Sequence, residues 1–86
     1  MSEISRFFGI IVRMFANDHA PAHFHAIYAG FEVLIEIETL DIYGGKLPRR
    51  ALALVLEWAA EHREGLRSNW KLTQVGKNPL PIEPLR

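Results

Sequence analysis

The stretch Phe31-Glu32-Val33-Leu34-Ile35-Glu36-Ile37-Glu38 shows the clearest alternation of apolar and acidic residues in this 86-residue chain. Successive side chains of a β-strand point to opposite faces, so this period of two predicts a strand with one buried and one wet face. Ala29-Gly30, immediately before it, is typical of a two-residue turn, because glycine readily adopts a positive φ. Residues 23–28, His23-Phe24-His25-Ala26-Ile27-Tyr28, are then predicted as the partner strand of an antiparallel hairpin.

Two further strands are predicted on either side of this hairpin. Residues 6–15 are rich in aromatic and β-branched side chains, which favours one long strand. Both of its faces are apolar, so we expect a central position in the sheet, or one between a helix and a partner subunit. Residues 41–43 predict a short fourth strand that ends at Gly44-Gly45. On the first strand we expect one face to carry Phe8, Ile10, Val12 and Met14.

The pattern changes from strands to helices at Pro48, a residue that suits the first turn of a helix. Apolar residues at helical spacing predict helices over about 48–63 and 66–75. Gly65 lies between them, and glycine disfavours a helix interior, so we expect a bend or break there. The prolines of residues 76–86 predict an extended tail. The fold class is therefore α+β: a small antiparallel sheet of three to four strands, with two C-terminal helices packed on one face.

Bulk composition excludes several kinds of protein and site. The chain has no cysteine, which excludes disulfides and thiolate metal ligands, and its net charge of zero gives no basic signal for nucleic acid. Its first residues lack the layout of a signal peptide, and no apolar run is long enough to span a membrane. We therefore expect a cytoplasmic protein without a membrane partner. We also expect one domain, residues 1–86, to whose small core a homodimer interface would add burial.

The candidate functional segment is Asn17-Asp18-His19-Ala20-Pro21-Ala22-His23-Phe24-His25, which contains three of the four histidines. Imidazole acts as acid, base or neutral ligand near pH 7, because its unperturbed pKa is about 6.5. His23 and His25 are two residues apart on a predicted strand, so both point to the same face, roughly 6.5–7 Å apart. Three interpretations of this cluster are open.

The first interpretation is a metal site. Two imidazoles on one face can converge on one ion, with His19 and Asp18 on the preceding loop as further ligands. Three protein ligands plus water form the pattern of a catalytic zinc site. A divalent transition metal such as zinc, held by His19, His23, His25 and Asp18, is the cofactor that this interpretation predicts.

The second interpretation is acid–base catalysis without a metal. His19, His23 and His25 would share the roles of acid and base, as cleavage of an RNA phosphodiester requires. Arginine binds phosphate in a bidentate manner because its guanidinium is a planar fork. The candidate anion-binding residues are those on the first strand or at the start of the first helix: Arg6, Arg13, Arg49 and Arg50.

The third interpretation is purely structural. Loops rich in Asn, Asp and Pro often only close a strand connection, and His25 would then be a satisfied half-buried residue and His19 a surface residue. The acidic face of the strand over residues 31–38 is most simply a solubilising surface. If that face lies beside the histidine strand, however, Glu32 or Glu36 could orient an imidazole, as carboxylates behind metal-bound histidines do.

Several separated motifs resemble one family, the bacterial domain of unknown function 4160 family. They are Ile4-Ser5-Arg6-Phe7-Phe8-Gly9-Ile10, the histidine segment, Leu47-Pro48-Arg49-Arg50-Ala51-Leu52, Glu57-Trp58 and Asn69-Trp70. The family pattern marks Arg6, Gly9, Asp18, His19, Pro21, His23, His25, Pro48, Arg49 and Trp58. Members commonly carry a second proline where this chain has Ala22.

The resemblance implies a small prokaryotic protein, often encoded beside a second small protein of the domain of unknown function 2442 family. That layout resembles a toxin–antitoxin pair. The function it implies is a component of a two-gene module with a small partner protein, in which the histidine cluster acts on or binds RNA or another phosphate-bearing ligand. The alternative is a metal-binding or protein-interaction module without catalysis. Whether the chain is an enzyme stays open at this stage.

Overall fold

The computed structural model describes residues 3–86, so Met1 and Ser2 of the predicted single domain lie outside it. Five antiparallel strands form one sheet in the spatial order of the sequence, and two helices follow. The elements are β1 (Glu3–Phe7), β2 (Ile10–Arg13), β3 (His23–Tyr28), β4 (Phe31–Glu36), β5 (Ile42–Gly45), α1 (Arg49–Glu61) and α2 (Arg63–Gln74). The α+β class and the two C-terminal helices are confirmed, whereas the predicted number of three to four strands is too low.

The extra strand arises within residues 6–15, where the prediction of one long strand is wrong. Phe8 and Gly9 have φ values of 51° and 80°, the pair of positive φ angles that a tight hairpin turn between β1 and β2 requires. The turn changes the alternation of side chains, so Phe7 joins Ile10 and Val12 in the core and Phe8 is 62% exposed. Apolar residues on both sides of the turn concealed it.

The β3–β4 hairpin has the predicted position and turn. Ala29 and Gly30 take φ values of 48° and 85° and connect the two strands. The following strand, β5, includes Gly44 and ends at Gly45, whereas the prediction ended it at Tyr43. A Cβ at Gly45 would lie 2.2 Å from the Glu32 carbonyl oxygen, so the close approach of β5 to β4 requires glycine at this position.

The break between the helices is at His62 and not at Gly65, which corrects both predicted helix boundaries. His62, at φ −123°, ends α1 and precedes α2. Gly65 lies inside α2, where an added Cβ would be 3.3 Å from Cδ1 of Ile82 in the C-terminal tail. This glycine therefore allows close packing of the tail, a contact that local helix preferences do not reveal.

The core lies between one face of the sheet and the two helices. Trp58 of α1 is its centre, fully buried between the rings of Phe7 and Phe24. The tail has no helix or strand, as predicted, and it closes this core at the β1 edge. Its Ile82 amide donates to the Ile4 carbonyl at 2.7 Å, and its Leu85 side chain is buried. Neither helix in residues 3–86 has the length and apolar character needed to cross a bilayer.

The opposite face of the sheet carries the polar residues that alternate with the core positions. Arg13, His25 and Leu34 lie opposite one another in register across β2, β3 and β4, and all three are half-buried. Residues directly opposite on antiparallel strands have Cβ atoms about 4.5–5.5 Å apart, so their side chains are neighbours. This row of side chains leads directly to the histidine cluster.

Candidate metal centre

Asp18, His23 and His25 meet at the end of the sheet where β3 begins. The Asp18 carboxylate comes from the loop between β2 and β3, and its Oδ2 lies 2.8 Å from His25 Nε2 and 3.3 Å from His23 Nε2. One potential ligand atom from each of the three residues lies within 4.8 Å of the other two. The strand periodicity that placed His23 and His25 on one face therefore brings both to the same carboxylate.

The other ring nitrogen of each histidine is held by an oxygen. His23 Nδ1 lies 2.7 Å from the Pro21 carbonyl oxygen, which can only accept a hydrogen bond. The His25 ring lies between two carboxylates: its Nδ1 is 2.8 Å from Oε2 of Glu32, one of the two residues predicted to contact an imidazole, and its Nε2 is 2.8 Å from Oδ2 of Asp18. The Pro21 carbonyl makes His23 Nδ1 a donor, so the neutral His23 ring has a bare Nε2, whereas either ring nitrogen of His25 can donate to a carboxylate.

In the tautomer with the proton on Nδ1, which the oxygens of Pro21 and Glu32 can accept, both rings and Asp18 present acceptors to one another. Each neutral Nε2 presents a lone pair to the Asp18 carboxylate, which is itself an acceptor when ionised. A cation between them satisfies all three groups at once. Two ligand atoms of a tetrahedral zinc ion lie about 3.3 Å apart, given bonds of about 2.0–2.1 Å. The separations of 2.8 and 3.3 Å between the Asp18 oxygen and the two Nε2 atoms are close to that value.

Aromatic rings fix the orientation of the two imidazoles. Phe15 meets the His25 ring edge-on at 4.7 Å, while the rings of Tyr43 and Trp70 lie 5.1 and 5.4 Å from His23. The exposed fraction of the side chains rises from 4% for His23 to 12% for His25 and 25% for Asp18. The cluster is thus rigid on the histidine side and open to solvent on the Asp18 side.

Two of the three candidate histidines are in this cluster, and His19 is not. The His19 side chain is exposed and lies outside the group formed by Asp18, His23 and His25. Its neighbour in sequence, Asp18, turns inward instead. A loop between two strands can present adjacent side chains in opposite directions, so closeness in sequence did not settle which of them belongs to the site.

The four candidate arginines lie in different surroundings. Arg6 donates two hydrogen bonds to Glu3, at 2.8 and 3.0 Å, and this pairing holds the pKa of the Glu3 carboxyl below its ordinary value. Arg49 and Arg50 are exposed at the start of α1, where Arg50 lines a cavity of about 150 Å³. Only Arg13 is a direct neighbour of a cluster residue, since it lies opposite His25 in the β2–β3 register.

Sequence reasoning did not find the aromatic surroundings of the cluster. Trp70 reaches His23 from α2, far along the chain, and Tyr43 comes from the short edge strand β5. The pairing of β4 with β5 and the position of α2 beside the sheet determine these contacts. No local pattern around Tyr43 or Trp70 signals them, although the pairing of residues 41–43 with the preceding strand would have placed Tyr43 near the sheet end.

Comparison with known proteins gives one match. The family model described as Domain of unknown function (DUF4160) matches residues 9–71, a span that includes Asp18, His23, His25 and Glu32. No curated protein and no solved structure matches the chain.

Proposed function

The chain belongs to the Domain of unknown function (DUF4160) family, and we propose that it is a metal-binding domain in which Asp18, His23 and His25 hold one divalent transition metal ion. The observation that carries the proposal is the orientation of the two imidazoles. Both Nδ1 atoms lie within hydrogen-bond distance of an oxygen of Pro21 or Glu32, and both Nε2 atoms face the same Asp18 oxygen.

The surroundings of the two imidazoles support a metal site. Metal-bound histidines usually donate their second ring N–H to a carboxylate or a backbone carbonyl, which fixes the tautomer and the ring orientation. His25 has the carboxylate of Glu32 in that place, and His23 has the Pro21 carbonyl. Zinc suits two nitrogen ligands and one oxygen ligand, with water as the fourth. The same donor set is known from the open sites of non-haem iron.

The geometry favours a metal over metal-free acid–base catalysis. A histidine acting as acid or base must present a ring nitrogen to the substrate. Here the Nδ1 atoms are engaged by Pro21 and Glu32, and the Nε2 atoms converge on Asp18. A bound metal would instead keep one position open on the solvent side of Asp18. There it would polarise a water molecule or bind an oxygen of a ligand.

The more specific functional predictions concern what would bind at this open position. Action on RNA, or on another phosphate-bearing ligand, would take place there, and a small partner protein of a two-gene module would be its regulator or target. These two proposals rest on the family resemblance and on the chemistry of a metal with an open position. Catalysis is therefore proposed only as a property of the metal-loaded protein.

Metal analysis of protein purified without a histidine tag, after dialysis against zinc, tests the proposal. We expect about one equivalent per chain in the wild type. The double variant His23→Ala/His25→Ala should lose it. His19→Ala and His62→Ala are matched controls that should keep it, because neither histidine is in the cluster. Folding of every variant is checked by circular dichroism.

Two results would overturn the proposal. One is wild-type protein that takes up no zinc, nickel, iron or manganese. The other is a double variant that is folded and binds as much metal as the wild type. Loss of metal from the double variant together with loss from His19→Ala would show instead that the exposed loop histidine is a ligand.

A further inference from the structure

Arg13 has a guanidinium nitrogen that no acceptor satisfies. It is the last residue of β2, half-buried, and its Nε is inaccessible to solvent and donates to no acceptor within residues 3–86. A buried donor of a charged group without an acceptor is costly, so such a group calls for an explanation. Its position opposite His25 places this unsatisfied donor on the same sheet face as the metal cluster.

Three other arginines have acceptors for their guanidinium nitrogens. Arg6 lies on the same sheet face and gives both of its hydrogen bonds to Glu3. Arg67 of α2 is held by Glu38, and Arg63 donates to the Ile37 carbonyl. Arg13 is the one arginine among residues 3–86 with a buried and unsatisfied nitrogen. Glu3, opposite Arg13 in the β1–β2 register, lies within range of its charge but accepts no hydrogen bond from its Nε, so the fold leaves this nitrogen unsatisfied.

The charges near the cluster explain when an anion would bind. Without a metal, the carboxylates of Asp18 and Glu32 contact the histidines, and Glu36 lies opposite His23 in the β3–β4 register. These groups attract a cation and repel an anion. A divalent ion on Asp18 reverses the balance, because its charge then adds to that of Arg13. Anion binding is expected to depend on the metal.

We propose, on the basis of the metal site proposed above, that the bound ion and Arg13 together hold the phosphoryl group of a small phosphate monoester. One phosphoryl oxygen would take the open position of the metal. The planar guanidinium of Arg13 would donate hydrogen bonds to the other oxygens. A tetrahedral group with three free oxygens suits this bridge between a metal ion and a neighbouring arginine.

A small ligand is favoured over a nucleic-acid strand by the rest of this face. A strand is bound by a row of cations along its backbone. Next to the cluster, however, the face carries the exposed carboxylate of Glu32, and the charge of Arg6 is compensated by Glu3. Arg13 alone can contact one phosphoryl group, but it cannot follow a chain of them.

Isothermal titration of the zinc-loaded protein with inorganic phosphate and with phenyl phosphate tests the proposal. The metal-free protein should show at least tenfold weaker binding of both. Arg13→Gln should retain its zinc but bind both anions about tenfold to hundredfold more weakly, the effect expected for lost hydrogen bonds from a charged donor. Arg13→Lys, which keeps the charge without the fork, should lie between. Arg6→Gln is the matched control and should behave as the wild type.

The outcomes separate this proposal from the metal proposal. If the wild type binds no metal, the proposed function itself fails. If zinc binds but phosphate does not, or Arg13→Gln binds phosphate as tightly as the wild type, only the anion site is wrong. Equal binding by the metal-free protein would overturn the dependence on metal. Tight binding of a single-stranded oligoribonucleotide without a terminal phosphate, together with none of phenyl phosphate, would replace the small ligand by a strand.

Discussion

Irregular chain covers polar groups in two regions, which differ in how those groups are satisfied. The tail end is where the C-terminal tail packs on the two helices, and the cluster end is where Asp18 meets His23 and His25. At the tail end, the amide of Asn69 makes two reciprocal hydrogen bonds of 2.8 Å with the Leu80 backbone, and the Trp58 ring N–H donates to the Glu83 carbonyl. Each of these donors meets an acceptor. At the cluster end, the Nε2 atoms of two imidazoles share one oxygen of the Asp18 carboxylate, and the Nδ1 atom of each ring faces another oxygen. The first arrangement stabilises the fold, whereas the second is the one that we propose binds a cation.

This contrast separates polar groups that stabilise the protein from those that bind something. Asn69 is as buried as His23, so burial alone does not distinguish them. The balance of donors and acceptors does. If it is the correct criterion, changes at the tail end should affect stability without affecting ligands, and changes at the cluster should do the reverse.

The largest expected effect is at the tail end. Trp58→Ala removes a fully buried ring that packs on Phe7 and Phe24 and holds the tail through its N–H. The free energy of unfolding should fall by about 3–5 kcal/mol, as measured by urea denaturation. Trp58→Phe, which keeps most of the volume but not the hydrogen bond, should lose less. Metal stoichiometry of the folded fraction should not change. A folded variant that had lost metal would contradict the separation between a stabilising tail end and a ligand-binding cluster.

The next effect is at the cluster. Asp18→Asn replaces an acceptor by an amide whose N–H₂ can donate to the bare Nε2 atoms, so the metal-free variant should be at least as stable as the wild type. Zinc at a hundredfold excess over its dissociation constant should stabilise the wild type by about 2.7 kcal/mol and the variant far less. Thermal melts with zinc and with chelator measure both quantities. A metal-free variant that is clearly destabilised would show that Asp18 is a structural residue.

A smaller effect is expected at Glu32. Glu32→Ala removes the oxygen that accepts from His25 Nδ1 and should weaken zinc binding about tenfold to hundredfold, the usual cost of losing such a partner. Competition with a zinc-binding dye measures the affinity. Glu36→Ala is the control, because Glu36 carries the same charge opposite His23. Equal losses in the two variants would mean that the charge, and not the hydrogen bond, is responsible.

The smallest effect is on the surface, away from both ends. The Arg67 guanidinium hydrogen-bonds to Glu38 and holds the pKa of that carboxyl below its ordinary value. A lowered pKa in the folded state adds stability above the unfolded pKa, and this stability is lost as the pH falls through the folded pKa. The difference in unfolding free energy between the wild type and Glu38→Gln should therefore shrink on acidification from pH 7 to pH 3. Glu61→Gln, at an exposed position of α1, should show no such trend.

The sequence predicted those parts of the fold that depend on local patterns. The β3–β4 hairpin follows from alternation and from Ala29-Gly30, and the same alternation placed His23 and His25 on one face. The β1–β2 hairpin was missed because Phe8, in the turn, is as apolar as its strand neighbours. The role of Gly65 was predicted wrongly, because this glycine makes room for Ile82 of the tail, and helix preferences do not report such a contact.

The candidate site was predicted in part for a similar reason. Its residue types and the role of Glu32 followed from the strand pattern. The choice of Asp18 over His19 depends on the path of a loop, and the contact of Trp70 with His23 depends on where α2 ends relative to the sheet. The importance of Arg13 becomes visible only in the register of β2 with β3.

Nitrogen-15 NMR of the histidine side chains, recorded with and without zinc, tests the central claim most directly. The account predicts that His23 and His25 both carry their proton on Nδ1 in the neutral state, and that zinc shifts the resonances of both Nε2 atoms while His19 and His62 stay unchanged. Protonated Nε2 atoms in the neutral metal-free protein, or Nε2 resonances of His23 and His25 that do not respond to zinc, would contradict it.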